Sequence, residues 1–114
     1  MRGSSEDWNR YATATGNNGW RWPNILRYFK KSERWTAPAD NHNITGQFEP
    51  SVHGFDGLLG VSLAGHPTHI NDMAMTASRQ LGKEFRFNSD YNSGSPLGLG
   101  ECVGELYLAC KRTY

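Results

Sequence analysis

The sequence has few cysteines, no long apolar run and almost no excess of charge of either sign. Cys102 and Cys110 are its two cysteines. Because their spacing fits no zinc motif, we expect two unpaired thiols. No stretch approaches the length of a bilayer-spanning helix, so no membrane partner is expected. The net charge of +1 gives no basic patch for phosphates, which disfavours nucleic-acid binding.

Signals for secretion and for common hydrolytic sites are also missing. The first residues lack the charged and apolar regions of a secretory signal, so the sequence leaves localisation undetermined. No Gly-x-Ser-x-Gly elbow presents a nucleophilic serine. We interpret the four histidines as loop residues rather than metal ligands, because nothing in their spacing brings three or four together. They are His42, His53, His66 and His69.

Capping residues and apolar periodicity predict three helices. The first begins after Ser4, a suitable N-cap, with Glu6 and Asp7 in the turn where the helix dipole favours acids. The second begins near Pro23, which suits a first helical position. The third follows Thr68 as its cap and carries the clearest apolar stripe of the chain, which we interpret as a core face. The stripe consists of Ile70, Met73, Ala74, Ala77 and Leu81.

Strand signals are fewer. Residues 58–63 form a short apolar run between glycines, and residues 84–87 alternate as a second strand would. The end of the chain offers either a third strand or a small helical stripe, and both interpretations stay open. The stripe would consist of Val103, Leu106, Tyr107 and Cys110. Three tryptophans around the second helix are interpreted as a packed corner rather than a stacking platform. They are Trp20, Trp22 and Trp35. These elements predict an α+β class: a small, fragment-like domain with about three helices, one or two short strands and long ordered loops.

A series of short strings resembles one enzyme family. Residues 2–11, with Arg-Gly-Ser followed by Asp-Trp-Asn and Tyr, resemble the segment after the flavin-contacting signature of the glucose-methanol-choline oxidoreductases, and within them the aryl-alcohol oxidases. Six further strings follow in family order, and this order is far more specific than any one motif. They lie at residues 19–22, 28–33, 38–40, 46–48, 51–54 and 88–94. The resemblance divides the chain into residues 1–100 and a divergent tail, 101–114.

The resemblance implies part of an FAD-dependent oxidoreductase that oxidises a primary aromatic alcohol and passes electrons to oxygen. Gly3 falls on the small position of the family signature and Asn9 on its closing polar position. Arg2, Gly3 and Asn9 are therefore expected to border the cofactor, FAD.

Two parts that such an enzyme needs are not found in the sequence. The glycine-rich residues 94–100 neither follow a parallel strand nor open a helix, as a dinucleotide cradle would. No histidine matches the family's catalytic histidines. We therefore expect an internal or truncated segment that has no catalytic residue and does not bind FAD tightly alone. The alternative is a stand-alone, non-catalytic module that binds a ligand or complements another chain.

Overall fold

The computed structural model describes residues 2–105. Their helices are α1 (Ser5–Thr15), α2 (Trp22–Ser32) and α3 (His69–Leu81), and their strands are β1 (Glu33–Trp35), β2 (Leu59–Leu63) and β3 (Val103–Glu105). Short 3-10 turns lie at Asn18–Trp20, Pro50–Val52, Lys83–Phe85 and Tyr91–Ser93. The predicted α+β class is confirmed. Over this part of the chain, no helix is both long and apolar enough to cross a bilayer.

The helix starts follow the predicted chemistry. Ser4 caps α1, since its hydroxyl oxygen accepts a hydrogen bond from the backbone N–H of Asp7 at 3.0 Å. The first backbone N–H of α2 lies at Trp22 and donates instead to the side-chain oxygen of Asn9, 3.1 Å away. Asn9 therefore ties the first helix to the start of the second.

The three strands form one mixed sheet in the order β1-β2-β3. β1 is parallel to β2, with Arg34 opposite Gly60, and β3 is antiparallel to β2, with Gly104 opposite Ser62. The third strand comes from the tail, so the strand interpretation holds for Val103. Leu106, Tyr107 and Cys110, which completed the alternative helical stripe, lie outside the described residues.

The predicted strand at residues 84–87 is wrong. Lys83–Phe85 forms a 3-10 turn, and Phe87 makes only an isolated bridge to Leu99. The hydroxyl of Ser78 in α3 donates to the carbonyl of Phe85 at 2.5 Å and holds this segment against the end of the helix. Alternation of apolar and polar residues did not decide the conformation, because the preceding helix supplied a nearer hydrogen-bond partner.

The interpretation of the α3 stripe as core is also wrong within residues 2–105. α3 itself forms as predicted, yet Ile70, Met73 and Leu81 are 72%, 58% and 63% exposed. Over the described residues the buried apolar side chains are few: Ala12, Pro38, Val52, Val61 and Leu63. The radius of gyration is 16.2 Å, against about 13 Å for a compact domain of this length. The fold is a flat layer whose α3 face has no partner among these residues.

Aromatic side chains pack in two separate groups. In the first, the ring of Trp20 stacks on Trp8, with centroids 6.2 Å apart, and meets Tyr11 edge to face. In the second, Trp35 stacks on Phe48 at 4.1 Å. The first group joins α1 to the turn after it, and the second packs against the ring of His53.

Candidate functional site

Four ionisable side chains converge from four distant parts of the chain. Arg2 precedes α1, Glu33 begins β1, His53 follows the Pro50–Val52 turn, and Asp90 caps the Tyr91–Ser93 turn. His53 is 1% exposed, Asp90 2% and Glu33 9%. We call these four residues the buried charge network. It is the main polar feature inside the described fold.

His53 lies at the centre of the network, between two carboxylates. Its Nδ1 is 2.8 Å from Oε2 of Glu33, and its Nε2 is 2.6 Å from Oδ2 of Asp90. Because ionised carboxylates only accept hydrogen bonds, both ring nitrogens donate when Glu33 and Asp90 are ionised. The geometry therefore fits the doubly protonated, positively charged imidazolium.

Arg2 adds the second positive charge. Its Nη2 donates to Oε2 of Glu33 at 2.6 Å, and its Nη1 donates to the carbonyls of Val52 at 2.5 Å and Asn92 at 3.4 Å. The side chain of Arg2 is only 7% exposed. The network thus contains two positive and two negative charges, the balance that buried ions require.

Backbone N–H groups complete the coordination of both carboxylates. Oε2 of Glu33 also accepts from Gly54 N at 3.2 Å. Asp90 accepts from Glu49 N at 3.0 Å and from Asn92 N at 2.8 Å. Among the described residues, no buried side-chain nitrogen or oxygen lacks a hydrogen-bond partner. The network is fully satisfied, which is the condition under which a buried polar cluster makes a structure rigid.

A glycine allows this close assembly. A Cβ placed on Gly54 would lie 1.7 Å from the carbonyl oxygen of Lys30, so no other residue fits without a backbone shift. The carbonyl of Gly54 accepts from Trp35 N at 2.8 Å. The loop carrying His53 therefore lies directly against the end of α2 and β1.

The pKa values of the network residues follow from this geometry. Burial alone would lower the pKa of His53, but its hydrogen bonds to Asp90 and Glu33 outweigh burial and raise it. Burial alone would raise the pKa of Glu33, but its hydrogen bonds to His53 and Arg2 lower it. The pKa of Asp90 is likewise lowered, because bonds from His53 and from backbone N–H groups outweigh burial. All three shifts favour the charged forms.

The network has the residue types of a metal site but not the arrangement. Glu33, His53 and Asp90 bond to one another, and the guanidinium of Arg2 occupies the same side of Glu33 as His53. No group of three or more potential metal ligands is arranged for an ion in the part of the chain that the structure describes. The arrangement can hold charge and order four segments. It presents no nucleophile to solvent.

A second polar feature is an open cleft of 440 Å³ between α3 and the loop of residues 42–47. Side chains of both signs line it, including Asp72 and Arg79. At its rim, His42 Nδ1 is 2.6 Å from Oδ1 of Asp40, and this hydrogen bond keeps the pKa of the Asp40 carboxyl well below its usual range. Among the residues that line the cleft, no cluster of reactive groups converges.

The three residues expected beside the cofactor lie in one N-terminal region but differ in availability. The guanidinium of Arg2 is engaged in the buried charge network, and the amide oxygen of Asn9 accepts from Trp22 N. Gly3 is exposed with φ +80°, a conformation that side chains other than glycine rarely adopt. Gly3 is thus the one of the three that presents free backbone to a neighbour.

His53 lies in a loop, as predicted, but it is buried and bonded through both ring nitrogens. The loop interpretation is wrong for His69, which is the first residue of α3. The acidic partners of His53 lie 20 and 37 positions away in sequence, so no local spacing shows them. The one local signal is the following Gly54, which marks a close backbone approach.

Comparisons with known proteins support the family resemblance. No protein-family model matches the chain. Over 98 residues, 86% of the chain, it is 40% identical to pyranose dehydrogenase 3 of Leucoagaricus meleagris and 39% identical to a pyranose dehydrogenase of Agaricus campestris. It is 32% identical over 101 residues to a glucose oxidase of Aspergillus carbonarius. The chain spans 16% of the length of each of these relatives.

A solved structure gives the same result for the fold. An FAD-dependent oxidoreductase from Chaetomium thermophilum matches 86% of the chain with a TM-score of 0.70 and 27% identity, and the match covers 17% of that protein. The chain is therefore similar, over 86% of its length, to one segment of glucose-methanol-choline oxidoreductases. By name, the solved structure is an FAD-dependent oxidoreductase, and the other relatives are pyranose dehydrogenases and a glucose oxidase. The matched segment is a minor part of each.

Proposed function

We propose that this chain supplies one segment of an FAD-dependent oxidoreductase that acts on the CH–OH group of an alcohol. The observation that carries the proposal is the match over 86% of the chain to oxidoreductases in sequence, together with a structural match at TM-score 0.70. The balanced charge and the lack of a nucleic-acid motif agree with a small-molecule substrate.

Within that enzyme, Arg2, Gly3 and Asn9 border the cofactor in different ways. Gly3 offers exposed backbone at a positive φ, where an added side chain would be strained. The polar groups of Arg2 and Asn9 are already bonded to Glu33 and to Trp22. These two side chains therefore support the segment and do not contact the cofactor directly. The cofactor would thus meet the main chain of residues 2–4 rather than these side chains.

The described residues do not provide a complete FAD site. A dinucleotide cradle needs a strand, a glycine-rich turn and a helix whose N-terminus faces the pyrophosphate. The glycine-rich residues 94–100 instead pack on backbone of an adjacent loop: a Cβ on Gly98 would lie 2.4 Å from the carbonyl of Arg86, and one on Gly100 2.0 Å from that of Asn88. Gly98 and Gly100 therefore serve chain packing, and tight FAD binding by this chain alone is not expected.

The substrate class has two candidates. The short strings of the sequence resemble aryl-alcohol oxidases, which favours a primary aromatic alcohol with oxygen as acceptor. The curated relatives include pyranose dehydrogenases at 36% to 40% identity, which favours the hydroxyl of a sugar ring. Both candidates share oxidation of a CH–OH group.

A segment exchange tests the proposal. The matching 98 residues of pyranose dehydrogenase 3 are replaced by those of this chain, and a scrambled insert serves as control. We expect the hybrid to show the yellow absorption of bound flavin, and anaerobic addition of an aromatic alcohol or of a pyranose to bleach it. A soluble, folded hybrid without flavin would contradict the proposal.

The alternative is a stand-alone, non-catalytic module, and the exposed aromatic group of Trp8, Tyr11 and Trp20 favours it. Such a group, or the open face of α3, would bind an apolar ligand or a complementing chain. Cooperative thermal unfolding of the purified chain, with a large heat-capacity change, would support this alternative. A molten state with exposed apolar surface would favour the segment proposal.

A further inference from the structure

The buried charge network joins segments that secondary structure does not join. Arg2 lies before α1, Asp90 lies near the end of the described chain, and neither belongs to the sheet. His53 connects them, because its two ring nitrogens contact Glu33 and Asp90 at 2.8 and 2.6 Å. Removal of this one ring would separate the two carboxylates.

The same network fixes the residues that precede α1. The guanidinium of Arg2 is held by Glu33 and by the carbonyls of Val52 and Asn92. The carbonyl of Arg2 accepts from Trp8 Nε1 at 2.8 Å. These contacts leave residues 2–4 in one conformation, including the exposed Gly3.

A second link runs from the loop of Asp90 to the same segment. Ser5 N donates to the carbonyl of Gly94 at 2.8 Å, and a Cβ on Gly94 would meet the ring of Trp22 at 2.8 Å. The turn that Asp90 caps therefore lies directly against the start of α1. Movement of Asp90 would be transmitted to residues 2–5.

We propose that His53 is a positioning residue whose protonated ring holds Glu33 and Asp90 together and thereby fixes the conformation of residues 2–4. The ordering itself concerns only this chain. That the ordered segment faces a cofactor rests on the proposed function.

The charges facing His53 predict a dependence on pH. They are Glu33 from β1, Asp90 from the loop after α3, and Arg2 from the N-terminal segment; the other neighbours, Trp35 and Phe48, are uncharged rings. Loss of the ring proton leaves two buried carboxylates against one guanidinium. An uncompensated buried charge is strongly unfavourable, so residues 2–4 loosen as pH rises through the titration of His53.

Amide hydrogen exchange of the full chain tests the proposal, with rates corrected for intrinsic exchange. We compare His53→Gln with His69→Gln, which alters an exposed histidine at the start of α3. In His53→Gln, the hydrogen-bonded amides of Ser5, Asp7 and Trp8 should exchange about 100-fold faster, because removal of one partner of a buried ion pair is strongly destabilising. In His69→Gln they should keep the exchange rates of the unaltered chain.

A pH series on the unaltered chain keeps the test decisive if His53→Gln unfolds altogether. Protection of the amides of Ser5, Asp7 and Trp8 should fall with the titration of the His53 ring, followed by NMR, while protection in α3 stays constant. Equal exchange of these three amides in the two variants, whether slow or fast, together with no pH step in the unaltered chain, would overturn the proposal. No flavin is used, so this outcome is independent of the segment exchange that tests the proposed function.

Discussion

The buried charge network and the apolar face of α3 differ in how far this chain completes them. In the network, four charged residues find every partner among residues 2–105, and their ions are shielded from water. On α3, Ile70 and Met73 remain mostly exposed, although the helix has the periodicity of a packed one. Residues 2–105 thus supply every partner of the buried charge network, whereas they leave the apolar stripe of α3 uncovered.

This difference fits a segment of a larger enzyme. A buried ion without its partners costs several kcal/mol, so such a network must be assembled as one unit. Exposing an apolar face to water costs about 25 cal/mol per Å². Such a face can therefore stay uncovered until another part of the protein packs against it. We infer that the network region is the self-sufficient part of this chain.

The largest effect is expected where the backbone of the network region is closest. Gly54→Ala places a Cβ 1.7 Å from the carbonyl oxygen of Lys30 and should lower the free energy of unfolding by about 3 kcal/mol or more. Urea denaturation measures this. Gly104→Ala is the control, because nothing lies within 4 Å of its added Cβ. An equal loss of stability in both variants would show that the contact between Gly54 and the carbonyl of Lys30 is not important.

The next effect separates a buried ion pair from an exposed one. Arg2→Gln removes a guanidinium that is 7% exposed and should cost about 3 kcal/mol, because Glu33 loses its charged partner. Arg10→Gln breaks the pair with Asp7, in which both side chains are more than half exposed, and should leave the free energy of unfolding nearly unchanged, because water screens an exposed pair. The same urea titration compares the two variants. Similar costs would contradict the central role of the network.

The pH dependence of stability should be of intermediate size. Because the pKa of His53 is raised on folding, its contribution is complete below the ordinary histidine value of 6.5 and is lost as pH rises through the folded value. Because the pKa values of Glu33 and Asp90 are lowered, their contribution is present above their ordinary values and is lost as pH falls through the folded ones. Each unit of difference is worth about 1.4 kcal/mol.

Stability measured across pH should therefore be highest between the ordinary carboxylate and histidine values. The decline on the alkaline side should disappear in His53→Gln, since that variant has no ring to titrate. A decline of the same size in His53→Gln would assign the effect to other groups.

The smallest effect is expected on α3. Met73→Gln should change the free energy of unfolding by less than about 0.5 kcal/mol, as for other exposed positions. Leu63→Ala, at a side chain that is 4% exposed, should cost about 2–5 kcal/mol. Self-association, measured by light scattering, should fall in Met73→Gln, because the substitution makes the exposed apolar face of α3 more polar. A large loss of stability in Met73→Gln would show that the chain covers this face.

The sequence by itself determined the helices and the family. Local chemistry placed the N-cap of α1 at Ser4 and that of α3 at Thr68, because a capping side chain bonds within three residues of itself. The ordered strings from residue 2 to about 100 identified the oxidoreductase segment. The run at residues 58–63 predicted β2, since branched and apolar residues between glycines favour a strand.

Only the tertiary structure decided which residues are buried. His53 looked like an ordinary loop residue because Glu33 and Asp90, which make it a buried ion, are distant in sequence. The stripe of α3 looked like core because periodicity reports that a face is apolar, and a helix face is buried only where a partner packs against it. Burial and charge state depend on long-range neighbours, and no local pattern contains them.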